Sequence, residues 1–157
     1  MPFDGSLVLD VPKQLPRLAG QVDRAIARKL QTDRPIRVRP LPHWYLPEQR
    51  IKAAVAVLVR ARALIAEEQR WCKRSFARTW FDIPVPVHWR LARRFCAVGA
   101  IERAGHELGF STKDAISALT WQTVLPVPDW NDDTRRTHAE VVVAFDAAIA
   151  ALDLAPA

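Results

Sequence analysis

The stretch that decides the fold is PEQRIKAAVAVLVRARALIAEEQ, residues 47–69. Its apolar residues recur at helical spacing and form one stripe, made of Ile51, Val55, Leu58, Ala61 and Ile65. Pro47 suits the first helical position, because proline has no backbone N–H to leave unpaired there. The arginines off the stripe, which we expect at the surface, are Arg50, Arg60 and Arg62.

The same periodicity on either side predicts four more helices, over residues 16–31, 89–108, 111–123 and from 137 to about 152. Ser111 with Asp114 and Thr137 with Glu140 have the spacing of capping boxes that open the last two. The aromatic and β-branched stretch 71–87 indicates either a small β-hairpin or an irregular packed loop. The sequence thus predicts an all-α, single-domain bundle of about five helices.

Prolines divide the chain into two parts. Residues 36–47, IRVRPLPHWYLP, hold three prolines within eight positions, which excludes a helix and favours an extended, polyproline-like strap. Residues 1–16 are also predicted to be extended. We therefore expect a proline-rich, basic N-terminal extension with one helix over residues 1–47, and a helical core domain over 48–153.

Composition excludes several classes of protein. Half of the 157 residues are hydrophobic, as in a globular chain, but no run approaches the ~18 apolar residues of a membrane span. The first ten residues lack the basic region of a secretory signal. Two cysteines make no disulfide framework, so we expect a reducing, cytoplasmic location and no membrane partner.

The net charge of +6 is unevenly distributed. Residues 13–94 contain 19 Lys and Arg against 6 Asp and Glu, whereas residues 95–157 contain 4 against 9. A basic half of this size attracts nucleic acid or an acidic protein surface, although a solvated helical surface explains the same count.

Three fragments carry a family resemblance: RRFCAVGAIERAGHELG at 93–109, WND at 130–132 and RTHAEVVVAFDAAI at 136–149. In this order they resemble a family of small helical bacterial and phage proteins with C-A-x-G-A, W-N-D and T-H-x-E-V motifs. The resemblance spans about residues 50–152. This sequence departs from the family pattern between Trp71 and Arg94, where the family has a turn rich in glycine and aspartate. It implies a helical fold and no established activity.

The motif residues allow a catalytic hypothesis. Cys96 as nucleophile, His138 as base and Asp132 as the group that orients the base would form a cysteine-dependent site. Against it, the pattern places Cys96 well inside the helix over 89–108, where a free cysteine is usually a small buried hydrophobe.

A structural interpretation of the same motifs is a polar clasp between a loop and the last helix. His138 would lie beneath the helix start and hydrogen-bond the W-N-D loop. The predicted clasp residues are Trp130, Asn131, Asp132, Thr137, His138 and Glu140.

No sequence signal indicates a metal or cofactor. Cys96, His106 and His138 have none of the close ligand spacings of zinc sites. The five glycines form no phosphate-binding loop. We therefore predict no metal and no cofactor.

Basic and aromatic residues alternate in two clusters, a pattern typical of nucleic-acid contact and equally of arginine stems packed over a core. The first cluster is Arg34, Arg37, Arg39, His43, Trp44 and Tyr45. The second is Arg70, Lys73, Arg74 and Arg78 with Trp80. A helix-turn-helix is disfavoured, because the helix over 111–123 carries one lysine and no arginine.

These observations favour a non-catalytic binding protein over an enzyme, and its basic N-terminal strap is expected to dock an acidic partner, either protein or nucleic acid. Two alternatives stay open. One is the cysteine-dependent enzyme, and the other is a structural subunit of a larger assembly or oligomer, wrapped by residues 1–47.

Overall fold

The computed structural model describes residues 7–9, 36–42 and 46–155 of the chain. The helix predicted over 16–31 lies outside the described residues, as does most of the stretch 1–16. Four candidate binding residues also lie outside them, namely Arg34, His43, Trp44 and Tyr45. The division of the chain at residue 47 stays a prediction.

Five α-helices dominate the described part of the chain, which confirms the all-α prediction. They are α1 (Glu48–Leu64), α2 (Ala97–Leu108), α3 (Lys113–Thr123), α4 (Val127–Asp132) and α5 (His138–Asp153). α1 is central, because it packs against α2, α3 and α5. It ends at Leu64, sooner than expected, and a 3-10 turn over Glu68–Arg70 follows.

The core lies between the four long helices. Leu58 of α1, Ile101 of α2, Leu119 of α3 and Phe145 of α5 are all fully buried. Alanines on the same faces, Ala61, Ala100, Ala104, Ala118 and Ala148, are buried as well. Small side chains at these positions let the helix axes approach closely, so the large side chains interdigitate without voids.

The prediction that Arg62 lies at the surface is wrong. Arg62 is buried on α1 and donates to the carboxylate of Asp146 on α5, with Nε–Oδ1 at 2.5 Å and Nη2–Oδ2 at 3.1 Å. Helical periodicity treats arginine as a polar surface residue, so it does not predict that Arg62 is buried. A buried guanidinium is stable here because an acid on the facing helix compensates its charge.

Four short strands form two antiparallel pairs. β1 (Leu7–Leu9) pairs with β2 (Ile36–Val38), and β2 packs against α5. β3 (Ala77–Arg78) pairs with β4 (Arg94–Phe95). The strands are brief additions to a helical fold.

A small hairpin occupies the region where the sequence allows one, near 71–87. Arg78 bridges Pro84, the Val85 N–H donates to the Ala77 carbonyl at 3.1 Å, and the Thr79 N–H donates to the Ile83 carbonyl at 2.9 Å. β4 pairs with the other side of β3, which the sequence did not indicate. The hairpin is thereby joined to the start of α2.

The prediction of a helix over 89–108 is wrong for its first eight residues, because α2 begins at Ala97. Residues 94–95 are strand β4, and Cys96 is the N-cap of α2 rather than an interior helical residue. The Cys96 N–H donates to the Phe76 carbonyl at 3.2 Å, so pairing with the hairpin holds this segment extended. The helix ends as predicted, with Gly109 at a left-handed φ of 70°.

The two predicted capping boxes have different outcomes. Thr137 and Glu140 form one at the start of α5, with the Glu140 N–H donating to Thr137 Oγ1 and the Thr137 N–H to Glu140 Oε2. The box at Ser111 and Asp114 is wrong. The N-cap of α3 is Thr112, whose side chain makes no cap bond, because its hydroxyl donates to Glu102 at 2.9 Å. Asp114 instead accepts from the Arg50 guanidinium at 2.7 and 2.9 Å.

Pro126 and Pro128 lie at the start of a short helix. Pro126 is the N-cap of α4 and Pro128 lies in its first turn, where proline is tolerated. Trp130, Asn131 and Asp132 are therefore helical residues rather than the loop residues that the sequence analysis expected.

Candidate functional site

Asn131 lies at the centre of a fully satisfied polar network. Its Oδ1 accepts from the Trp71 indole N–H at 2.8 Å and from the Ala97 backbone N–H at 3.2 Å. Its Nδ2 donates to the Cys72 carbonyl at 3.3 Å and to Asp132 Oδ1 at 2.8 Å. Both partners of Oδ1 can only donate, so they determine which way the amide faces. This completely buried side chain joins α4, the start of α2 and the segment after α1.

Asp132 extends this network towards the surface. Its Oδ1 also accepts from the backbone N–H of Arg74 at 2.8 Å, and Arg74 has a left-handed φ of 60°. Such a conformation is costly for a residue with a side chain. The hydrogen bond offsets part of that cost and positions the chain that enters the hairpin.

Lys73 binds the connection between α4 and α5. Its Nζ donates to the carbonyl oxygens of Asp133 at 2.6 Å and Arg136 at 2.8 Å. The ammonium also lies 5.1 Å from the centroid of the Trp71 ring. The sequence analysis assigned Lys73 to partner binding, but its donors are engaged within the chain.

The start of α5 carries a second group of contacts. Arg136 stacks over Trp130, with 4.2 Å between its guanidinium carbon and the ring centroid, and pairs with Glu140 at 3.1 Å. The backbone hydrogen bond from Thr137, together with Arg136, lowers the pKa of Glu140. Arg136 therefore links Trp130 of α4 to Glu140 of α5.

His138 does not bond the W-N-D segment directly. Its Nε2 lies 2.7 Å from the carbonyl oxygen of Ile65, at the end of α1. A carbonyl only accepts, so Nε2 carries the proton. The imidazole is 6.0 Å from the Trp71 ring, which connects it to the network through packing. These contacts connect α5 to α1 as well as to α4. We call the contacts of Asn131, Asp132, Lys73, Arg136 and His138 described above the clasp.

The thiol of Cys96 is buried and accepts a hydrogen bond from the Gly99 N–H at 3.3 Å. A helix N-terminus favours a thiolate, but burial opposes it more strongly and raises the pKa of Cys96, with Asp132 adding to the rise. Burial also raises the pKa of Cys72, to about 12. Within the described residues no hydrogen bond links Cys96 to His138. The contact that a cysteine nucleophile and its base require is not formed here.

A different surface lies on the hairpin. Six large apolar side chains are exposed over residues 70–94, which comprise the hairpin and the chain on either side of it: Phe76, Trp80, Phe81, Ile83, Trp89 and Leu91. Phe81, at the tip, is 88% exposed. Three arginines belong to the same segment: Arg70, Arg74 and Arg90. We call these nine residues the hairpin surface.

The arginines around the hairpin divide into two groups. Arg78 and Arg94 both pair with Asp82, at 3.4 and 2.5 Å, and brace the turn. Within the described part of the chain, the side chains of Arg70, Arg74 and Arg90 form no ion pair with a carboxylate, and all three residues are exposed. The guanidinium of Arg70 lies 5.9 Å from the Trp80 ring centroid. Three cations are thus available beside exposed aromatic rings.

The N-terminal candidate residues lie elsewhere. Arg39 stacks on Trp121 at 4.0 Å, and its backbone exchanges two hydrogen bonds with the Gln122 side chain, at 2.9 and 2.8 Å. Arg37 lines a shallow groove of about 360 Å³ whose other walls include Trp130 and Val143. Residues 36–42 therefore lie along α3 and α5, where Arg37 and Arg39 contact residues other than those of the second predicted basic cluster.

Most of the hairpin surface was not predicted from the sequence. Phe76, Phe81 and Ile83 fall in the stretch predicted as a hairpin or packed loop, and Trp89, Arg90 and Leu91 fall in the helix predicted over 89–108. Consecutive aromatics beside aspartate and two prolines, W-F-D-I-P-V-P, are compatible with a turn whose aromatics face solvent. That signal could have indicated exposure.

Two findings concern other kinds of site. Over residues 7–9, 36–42 and 46–155, no three His, Cys, Asp or Glu side chains are grouped so as to hold a metal ion. In the same ranges, no helix has the length and hydropathy needed to cross a bilayer.

The fold and the clasp define a small helical bundle whose buried amide network positions an exposed hairpin. The chain belongs to a family of unknown function, DUF6197, whose model matches residues 49–151. This confirms the family resemblance in the sequence. No curated protein and no solved structure matches the chain.

Proposed function

We propose that this protein is a non-catalytic binding protein that docks an acidic partner through the hairpin surface. The observation that carries the proposal is the exposed apolar tip beside three arginines, Arg70, Arg74 and Arg90, that no carboxylate of the described chain neutralises. Exposed aromatic residues next to arginine are typical of interface centres.

Charge gives the surface its expected partner. Residues 70–94 contain seven Lys and Arg and one acid, Asp82. Asp82 is already paired with Arg78 and Arg94, so the local field is positive. Such a field speeds encounter with an acidic partner and repels basic ones.

The clasp supports the proposal by holding the hairpin in place. Lys73 and Arg74, which lead into the hairpin, are fixed by hydrogen bonds to α4 and to the connection that follows it. A surface held in one conformation loses little conformational entropy when it binds. Because Arg39 is engaged with Trp121, the proposal moves the docking site from the N-terminal strap to the hairpin.

The test is retention on heparin, a generic polyanion, with elution by a salt gradient. We expect the double variant Arg70→Glu/Arg90→Glu to elute at clearly lower salt than the wild type. The matched control, Lys52→Glu/Lys113→Glu, makes the same change of net charge on α1 and α3 and should elute close to the wild type. Equal shifts for both variants would show that only total charge matters, and would refute a docking surface at the hairpin.

A further inference from the structure

We propose that the acidic partner of the hairpin surface is single-stranded nucleic acid, a proposal that rests on the function proposed above. The observation that points to it is the presence of exposed aromatic rings and unneutralised guanidinium groups together within residues 70–90, with Arg70 lying near the Trp80 ring. Rings stack on bases and guanidinium groups contact phosphates, which are the two components of single-strand recognition.

The aromatic part of the site is built at a turn. Trp80 and Phe81 are its two central residues, since the Asp82 N–H donates to the Thr79 carbonyl at 3.2 Å. Asp82 has a left-handed φ of 64°, and its carboxylate is held by Arg78 and Arg94. The turn is therefore well braced, while Trp80 and Phe81 are 50% and 88% exposed. Rigid, exposed rings are suited to stacking.

The charged part of the site lies next to these rings. Arg70 lies near the Trp80 ring, at 5.9 Å from its centroid, and Arg90 follows the exposed Trp89 directly. A nucleic-acid strand carries one phosphate for each base, so a cation next to an aromatic ring can contact the backbone beside the base that stacks on that ring. An acidic protein helix would instead need a groove for its side chains, whereas the shallow groove described above lies on α3 and α5.

Duplex binding is disfavoured by the same geometry. Sequence reading in a duplex needs a helix or long ribbon that enters a groove, whereas β3 and β4 are two residues each. Stacking on Trp80 or Phe81 requires a base that is free of its neighbours. The surface should therefore prefer single strands of either DNA or RNA.

The test is fluorescence anisotropy with the full chain and four labelled probes: a 20-nucleotide dT strand, a U strand of equal length, a 20-base-pair duplex and a 20-residue poly-glutamate peptide. We expect both single strands to bind, and the duplex and the peptide to bind at least about tenfold more weakly. Replacing both stacking rings in Trp80→Ala/Phe81→Ala should weaken dT binding at least about tenfold, because each stacked base contributes about fivefold to a hundredfold. The control Val124→Ala/Leu125→Ala removes a comparably exposed apolar pair that directly follows α3 and should bind as the wild type does.

Salt dependence tests the charged part. Each phosphate contact contributes about 0.7 to the slope of log affinity against log salt for single strands. The variant Arg70→Gln/Arg90→Gln should therefore lower the magnitude of that slope by about 1.4.

Three outcomes would overturn the inference: no single-strand binding, peptide binding as tight as dT binding, or full dT binding by Trp80→Ala/Phe81→Ala. If heparin retention still depends on Arg70 and Arg90 in any of these cases, the docking surface stands and its partner is an acidic protein. If heparin retention does not depend on Arg70 and Arg90 either, both the proposed function and this inference are refuted.

Discussion

Replacing Asn131 with alanine removes the side chain that connects three segments of the core. The substitution leaves two buried donors, the Trp71 indole N–H and the Ala97 backbone N–H, without their acceptor. An unsatisfied buried donor costs about 1–3 kcal/mol, so we expect a loss of about 3–5 kcal/mol in the free energy of unfolding. A whole domain is stable by about 5–15 kcal/mol, which makes this a severe change.

The assay is urea denaturation at 25 °C, followed by far-UV circular dichroism and extrapolated linearly to water. Asp132→Ala is the comparison variant, because it frees the N–H of the exposed Arg74, which can bond to water, and only one N–H of the Asn131 amide, which keeps its bond to the Cys72 carbonyl. We expect this variant to lose about 1–3 kcal/mol, less than Asn131→Ala. A loss below about 1 kcal/mol for Asn131→Ala, at an unchanged denaturant slope, would refute the account of the clasp.

Three further predictions concern the core. Arg62→Met leaves Asp146 buried without its counter-charge and should cost about 3–5 kcal/mol in urea denaturation, whereas Arg62→Met/Asp146→Leu should come within about 1 kcal/mol of the wild type. Burial already raises the pKa of Asp146 to about 6, so protonating this carboxyl stabilises the folded protein. The stability that Arg62→Met loses relative to the wild type should therefore be larger at pH 8, where Asp146 is charged, than at pH 5. An equal loss at the two pH values would contradict this. Gly99→Ala places a methyl group against a backbone carbonyl oxygen and should cost at least about 2 kcal/mol in melting or urea experiments; an unchanged stability would disprove that close approach. Burial raises the pKa of both Cys72 and Cys96, so a thiol reagent at pH 8 should label them only as fast as the chain opens, and rapid labelling of the native protein would contradict the burial.

The long helices were predictable because their signal is local. The stripe of α1 and the capping box at Thr137 and Glu140 each lie within one segment, and the structure has both. The errors arose where distant contacts decide. Residues 89–96 have a helix-compatible pattern, but pairing with β3 and the approach of Phe76 to Gly99 hold the end of this stretch extended. Helical periodicity carries no information about such a partner.

The candidate residues were only partly predictable for the same reason. Composition identified a basic, aromatic stretch, but charge alone did not distinguish Lys73, which binds carbonyl groups inside the clasp, from Arg70, which is exposed beside Trp80. Likewise the motif segments at 130–132 and 137–140 are recognisable in the sequence, whereas the partner of His138 is not, because Ile65 is 73 residues away in the chain. Geometry of this kind is set by the fold as a whole.

The contact between Gly99 and the Phe76 carbonyl has an evolutionary consequence. It secures the base of the hairpin through backbone atoms, which do not depend on the identity of any side chain at the tip. Substitutions at exposed positions that touch little of the core usually change stability by no more than about 0.5 kcal/mol. Trp80, Phe81 and Ile83 can therefore diversify among related chains almost neutrally, so that one scaffold can acquire new binding preferences while Gly99 stays constrained.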